Sequence, residues 1–173
     1  MIYFPIETHL IVKQEASEED CMSHIIHLAD VPQYLPVVAY WNYREWHAGK
    51  RPFDEIIRRY QERLNYTDIP ITLVAVEDTM PVGSVSIKMD DLMERTDINP
   101  WLASLYVVAD YRGRGIGNEL LQAAQNTART VGIARLYLYT HTANALYERD
   151  GWKAMDTIER EDGVVETVYF KDM

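Results

Sequence analysis

The chain has 173 residues, 47% of them hydrophobic and 25% charged, which suits one globular domain around a single core rather than a disordered polymer. The 27 Asp and Glu outnumber the 17 Lys and Arg, for a net charge of −10. That balance argues against a phosphate-backbone partner such as DNA, and fits either plain solubility or attraction of cationic substrates such as amines.

A single cysteine, Cys21, excludes an internal disulfide and a cysteine-based zinc site. No apolar run approaches the ~20 residues of a membrane span. The first residues, MIYFPIETHLIVKQ, lack the basic start and unbroken apolar run of a signal peptide. The expectation is a cytoplasmic protein with no membrane or nucleic-acid partner, present as a monomer or homodimer.

Residues 1–21 read as an N-terminal extension, in which ETHLIVKQ could form an extra strand and QEASEED a polar tether; the domain proper spans 22–173. A short strand is expected over 22–28. His24 and His27 lie three apart on it and point to opposite faces, poor geometry for a metal, and no metal is expected. A helix follows over 32–47, with Asp30 as its cap and Pro32 early in it. A second helix, 53–65, repeats Phe53, Ile56, Ile57, Tyr60 and Leu64 at spacings of three and four.

Two strands within 71–91 meet at a tight turn around Asp78–Pro81, and 92–100 is a polar connection. The segment 101–108 reads as a strand. A helix over 115–131 collects Ile116, Leu120, Leu121, Ala124, Ala128 and Val131 on one side and stops at Gly132. A strand at 135–140, a short helix at 143–151 and two strands at 152–159 and 164–171, joined at Glu161-Asp162-Gly163, complete the chain. The order is β-α-α-β-β-β-α-β-α-β-β: an α/β (α+β) fold with a mixed sheet of about seven strands flanked by four helices.

The chemistry concentrates in YRGRGIG, residues 111–117, where a strand runs through three glycines into a helix. Helix first-turn N–H groups have no partner within the helix, and the helix dipole adds positive charge there. Small residues let a ligand approach that backbone, which suits a phosphate, and Arg112 and Arg114 add forked donors. Asn118 and Glu119 follow Gly117, so the loop is not a Walker A motif. The spacing Gly113-x-Gly115-x-Gly117 departs from the dinucleotide fingerprint, and the loop opens a helix rather than joining two strands as a kinase glycine loop does.

LYVVADYRGRGIGNELL resembles the acyl-CoA-binding motif of the GNAT superfamily of N-acetyltransferases: Arg or Gln, two residues, Gly, one residue, then Gly or Ala, matched by Arg112, Gly115 and Gly117. NALYERDGWKAM resembles the family's second motif, an Asn and a Tyr on a short helix before a Gly-aromatic pair. The resemblance covers roughly residues 22–171 and implies the family's mainly antiparallel sheet. It also implies that acetyl-CoA is the cosubstrate, its pyrophosphate held by the backbone N–H groups of Gly113, Arg114, Gly115, Ile116 and Gly117 with the Arg112 and Arg114 side chains. The strand Leu105-Tyr106-Val107 would pair with the pantetheine arm and leave an N–H near Val107 to polarise the thioester carbonyl. Asn144 would hydrogen-bond the pantetheine, and Tyr147 would act as general acid at the sulfur. Such an N–H stabilises charge developing on the carbonyl oxygen, and a phenol can protonate a leaving thiolate.

Some family members carry a glutamate base on the strand before the loop, but Pro100-Trp101-Leu102-Ala103-Ser104 has no carboxylate there. Asp90 and His141 lead the other candidates, with Asp91, Glu94 and Asp97 nearby in sequence and a water relay also open. The first two helices wall the acceptor site in this family, which makes Trp41, Glu45 and Trp46 candidate binders of an ammonium, although two core-facing tryptophans around a solvated Glu45 fit as well. Cys21 lies outside both motifs, so direct attack in a ternary complex is expected rather than a covalent acyl-enzyme. The acceptor stays open between a peptide or protein amine and a small polyamine or aminoglycoside-type amine. The rival to an enzyme is a catalytically idle acyl-CoA-binding module.

Overall fold

The computed structural model describes residues 23–160 and 162–173. The N-terminal extension with Cys21, Met22 at the start of the first expected strand, and Glu161 in the last turn lie outside them. Seven strands form one sheet: β1 (His24–His27), β2 (Ile71–Glu77), β3 (Met80–Lys88), β4 (Trp101–Val107), β5 (Arg135–Thr140), β6 (Lys153–Glu159) and β7 (Val165–Asp172). Four α-helices accompany them: α1 (Leu35–Asn42), α2 (Phe53–Gln61), α3 (Ile116–Thr130) and α4 (Asn144–Arg149). The spatial order is β1-β2-β3-β4-β5-β7-β6, antiparallel throughout except between β4 and β5. The element order is the one read from the sequence.

Strand β2, ITLVAVE, is buried along its whole length because both faces of the sheet are covered. Ile71, Leu73 and Ala75 join a core with Ile116, Leu120, Leu121, Ala124 and Ala128 of α3. Val74 and Val76 turn the other way and pack with Val38, Ala39, Ile56 and Tyr60 of α1 and α2. Burying one such Leu or Ile contributes about 1.5–3 kcal/mol, so the period of α3 alone is enough to fix its face. Helix α3 ends as its glycine suggests: Ile133 N–H reaches the carbonyl of Ala128, and Gly132 adopts φ 80°.

The first helix differs from its expected form. Residues 32–47 break into a 3-10 turn at Pro32–Tyr34, α1, and a π-helical turn at Tyr43–His47. Asp30 does not cap α1; it belongs to a separate 3-10 turn and accepts a hydrogen bond from the Tyr66 hydroxyl at 2.8 Å. Two prolines, Pro32 and Pro36, each restart the local pattern, because neither can donate the backbone bond that would continue a preceding turn. Helix α2 stops at Gln61, short of the expected Asn65.

Strand β4 carries the irregularity that matters most. Ser84 pairs with Tyr106 and Ser86 with Ala103, so two steps on β3 answer three on β4. The extra residue is a bulge, and Ser104 within it adopts φ 56°. Asn42 of α1, buried, donates from Nδ2 to Ser104 Oγ at 2.9 Å. One inserted residue reverses the alternation of faces. Leu102, Leu105 and Val107 therefore pack toward the α3 core, while Tyr106 turns to the α1 side and stacks on Trp41 at 5.4 Å.

Candidate active site

Beyond the bulge, β4 separates from β5. The two parallel strands share one register pair, Trp101 with Tyr137, next to a bond from Tyr137 N–H to the carbonyl of Pro100. Val108 N–H donates to the carbonyl of Val82 at 2.9 Å on the β3 side, which makes the adjacent Gly83–Val107 pair a non-hydrogen-bonded one. The N–H and C=O of Val107 consequently point away from β3, into the gap between the splayed strands. Those of Leu105 share that direction by the period of two, and Tyr106 faces β3.

The chain leaves β4 through a 3-10 turn at Ala109–Tyr111 and reaches α3 across Gly113 and Gly115, at φ 77° and 90°. A left-handed residue is needed at Gly115 because it is the N-cap of α3, where the chain must reverse before entering the helix. The first N–H groups with intrahelical partners are those of Asn118 and Glu119, both to the Gly115 carbonyl. The N–H groups of residues 113–117 have no partner among the described residues, so they form a cradle of donors at the positive end of a 15-residue helix. A side chain at Gly117 would meet Val107 Cγ2 at 3.8 Å, so the loop and the end of β4 lie against each other.

The two arginines differ in their engagements. Arg112 donates from Nε to the Val107 carbonyl at 2.8 Å and lies 5.7 Å from the Tyr106 ring. Arg114 is held by Glu77 at the end of β2, Nη2 to Oε1 at 2.7 Å, with its guanidinium over Tyr111. Both remain exposed. Glu77 offsets one of the loop's two positive charges, which sequence spacing did not reveal because 37 residues separate the pair.

Helix α4 forms the other wall. Its entry is set by Thr140, whose Oγ1 accepts from the N–H groups of Thr142 and Ala143 at 3.2 and 3.1 Å. Asn144 opens the helix, and its buried side-chain oxygen has no hydrogen-bond partner among the described residues. A sealed, unanswered acceptor is destabilising, and one that awaits an amide N–H is accounted for. Tyr147 is 7% exposed, with its ring edge-on to Trp152 and tilted against Tyr169. Burial pushes its phenol up to about 12.

Asp150, just past α4, anchors that wall. It accepts hydrogen bonds from Gln122 and Gln125 of α3, from Trp152 Nε1 at 3.0 Å and from Lys171 Nζ of β7 at 2.9 Å. Burial alone would raise its carboxyl, but the bonds from Lys171, Gln125 and Trp152 outweigh it and hold the group below its usual range. Neither Thr140 nor Asp150 stood out in the sequence; the only trace was the Asp-Gly-aromatic ending of the second motif.

The residues expected to face an acceptor lie on the α1 side. Trp41 stacks on Tyr106, Glu45 is exposed, and Trp46 is 39% exposed within the π-helical turn. Such turns are frequent at functional sites. His47 in the same turn is pushed down to about 4, by burial first and then by Lys88, Arg51 and Arg59. Among the base candidates, Asp90 is exposed after β3. Asp91 pairs with Lys88, Glu94 with Arg160 and Asp97 with Arg95. His141, just past β5, contacts Glu166 through Nδ1 at 3.2 Å.

Comparisons with known proteins bear on the family and the fold. The sequence model described as the acetyltransferase (GNAT) family matches residues 37–152, and the chain belongs to that family. It is 31% identical to N-alpha-acetyltransferase 30 of Schizosaccharomyces pombe over 85 residues, 47% of this chain and 56% of that protein. The chain thus spans about half the length of the curated relative it matches. The fold resembles an aminoglycoside 6'-N-acetyltransferase complexed with coenzyme A, at 16% identity and TM-score 0.68, covering 86% of this chain and 96% of that one. It also resembles Arabidopsis thaliana Naa50 in complex with a bisubstrate analogue, CoA-Ac-MVNAL, at 20% identity and TM-score 0.64, covering 87% and 99%.

Proposed function

From that membership we propose that the protein is an N-acetyltransferase that moves the acetyl group of acetyl-CoA to a primary amine by direct attack in a ternary complex. The observation that carries the reading is the set of unanswered polar groups around one gap. The five free N–H groups at the start of α3 suit a diphosphate. The outward N–H and C=O of Leu105 suit the amides of a pantetheine arm laid along β4, Val107 keeps its N–H in the same gap, and the buried Asn144 oxygen suits an amide N–H. The names of the relatives, an N-alpha-acetyltransferase and an aminoglycoside 6'-N-acetyltransferase, support an amine acceptor and leave its class open between a peptide or protein N-terminus and a small polyamine or aminoglycoside-type amine.

Val107 N–H is the donor we assign to the thioester oxygen, where charge builds as the nitrogen attacks. The amine nitrogen bonds to the acetyl carbon and gives up a proton to a base or a water relay, the carbon–sulfur bond breaks, and the thiolate takes a proton from the Tyr147 hydroxyl. A phenol kept neutral by burial supplies a proton late in the reaction. The acceptor amine would enter from the α1 side, past Trp41, Glu45 and Trp46.

The test is release of CoA thiol from acetyl-CoA with a panel of amines and N-terminal peptides, using wild type and Tyr147→Phe. We expect turnover on one amine class, and a kcat about 10²-fold lower for the variant at unchanged acetyl-CoA affinity. The second reading, an idle acyl-CoA-binding module, is favoured by the absence of a carboxylate on β4, whose residues are WLASLYV. Tight CoA binding with no turnover on any acceptor would select it.

A further inference from the structure

The side of the sheet on which an acceptor amine must be deprotonated holds one buried carboxylate that the reading above leaves unused, Glu166 of β7. It is 8% exposed and among the described residues has no lysine or arginine in ion-pair contact, and both of its oxygens lie 3.2 Å from His141 Nδ1. His141 itself is 52% exposed, and its Nε2 has no hydrogen-bond partner among the described residues.

The strand register explains the meeting. Tyr139 pairs with Val168 and Thr140 with Thr167, so one step further brings His141 beside Glu166. Leu136 and Leu138 of β5 pack into the α3 core, whereas Tyr137 and Tyr139 pack on the other face with Trp101 and Val168. The period of two continues that second face to Glu166 on β7 and to the position of His141 at the end of β5. This is the α1 side, where Trp41 meets Tyr106. It lies at the C-terminal end of β5, which runs parallel to β4, and so at the end of the gap where Val107 stands.

We propose that Glu166 is a positioning residue for His141. It fixes the imidazole with Nδ1–H toward the carboxylate, so that Nε2 presents its lone pair outward as the base for the acceptor amine. The proposal rests on the acetyl-transfer reading and goes further by choosing His141 over Asp90 and naming what orients it. As the nitrogen–carbon bond forms, Nε2 takes the proton from the attacking nitrogen. Tyr147 gives one to the departing thiolate, and exchange with water restores both groups. A carboxylate on the far ring nitrogen selects the tautomer and stabilises the imidazolium that results. The other ionisable groups around the pair are Tyr139 on β5, Arg160 after β6, and Asp91 and Glu94 after β3.

Two measurements on the full chain test this. The first needs no acceptor: nitrogen-15 NMR of the histidine ring above its titration range reads the tautomer of His141. We expect Nδ1–H in wild type and in Glu166→Asp, and a shift toward Nε2–H in Glu166→Gln and Glu166→Leu, each variant checked for an unchanged fold by circular dichroism. An Nε2–H tautomer in wild type, or no change on substitution, overturns the proposal.

The second measurement uses the best acceptor found. His141→Gln should lower kcat about 10²-fold and Glu166→Gln about 10-fold, at an unchanged KM for acetyl-CoA, with partial rescue by Glu166→Asp. A loss confined to the KM for acetyl-CoA, or no loss at all, overturns it. If wild type acetylates no amine, the acetyl-transfer reading fails while the tautomer result still decides whether Glu166 orients His141.

Discussion

Arg112 donates from Nε to the carbonyl oxygen of Val107 at 2.8 Å, five residues back along the chain. The bond ties the glycine loop to the last residue of β4, and the guanidinium's terminal nitrogens have no hydrogen-bond partner among the described residues. Arg114, by contrast, is committed to Glu77. Replacing Arg112 by Ala should weaken CoA about 10-fold by calorimetry, and weaken pantetheine fragments without the diphosphate far less. Arg114→Ala should cost less than Arg112→Ala, because Glu77 already offsets that charge. Equal losses for CoA and the fragments would remove Arg112 from the phosphate site.

Gly115→Ala tests the cradle itself. Space is not the obstacle, since a Cβ there would meet only a Glu119 carboxylate oxygen at 3.9 Å; the obstacle is the φ of 90°. Forcing an L side chain into that region costs about 1–2 kcal/mol. Thermal melting should show that loss, and CoA affinity should fall further as residues 113–117 rotate away from a common target. Unchanged affinity in a destabilised variant would separate the loop's conformation from ligand binding.

Tyr147 should stay protonated through the whole neutral and mildly alkaline range, because burial moves its phenol up to about 12. With the folded value above the unfolded one of about 10, its contribution to stability is complete below pH ~10 and disappears as pH rises toward the shifted value. Wild-type kcat should therefore show no tyrosine-dependent decline up to about pH 10. A fall near pH 9 that disappears in Tyr147→Phe would contradict the assignment.

Asp150 ties α3, α4 and β7 through four side chains, so Asp150→Ala should lower stability by about 3 kcal/mol, read from denaturant unfolding at neutral pH. Its folded carboxyl titrates below the unfolded one. The stability it contributes is therefore present above pH ~4 and is lost as pH falls through the folded value. The difference in stability between wild type and Asp150→Asn should shrink on acidification in that window. A constant difference would mean that the hydrogen-bond geometry, not the charge, carries the effect.

Local patterns made most of the elements legible. The 3.6-residue repeat of α3, the glycine stop at Gly132 and the β-branched, mostly apolar run of β2 are each written in fewer than 20 consecutive residues, and each appears where expected. The first helix was less legible, because Pro32 and Pro36 and the π-helical turn interrupt a pattern that hydrophobic spacing alone reads as continuous. Asp30 had the side chain of a cap, yet its partner is Tyr66, 36 residues away. The acceptor side was the least legible, since Trp41, Glu45 and Trp46 sit in one short stretch but differ in surroundings: Trp41 stacks on Tyr106 of β4, whereas Glu45 and Trp46 are exposed.

The sequence by itself determined the glycine turn that leads β4 into α3 and the short helix with its tyrosine, because a strand–glycine–helix turn and an i to i+3 spacing are local and follow from neighbours in the chain. The tertiary structure alone decided the bulge at Ser104 that turns Tyr106 toward Trp41 and Val107 toward α3, the opening of β4 from β5, and the pairing of Glu166 with His141. These depend on register between strands far apart in sequence, where a one-residue step exchanges the two faces of a sheet. Spacing along the chain carries no trace of such a step until the strands are laid side by side.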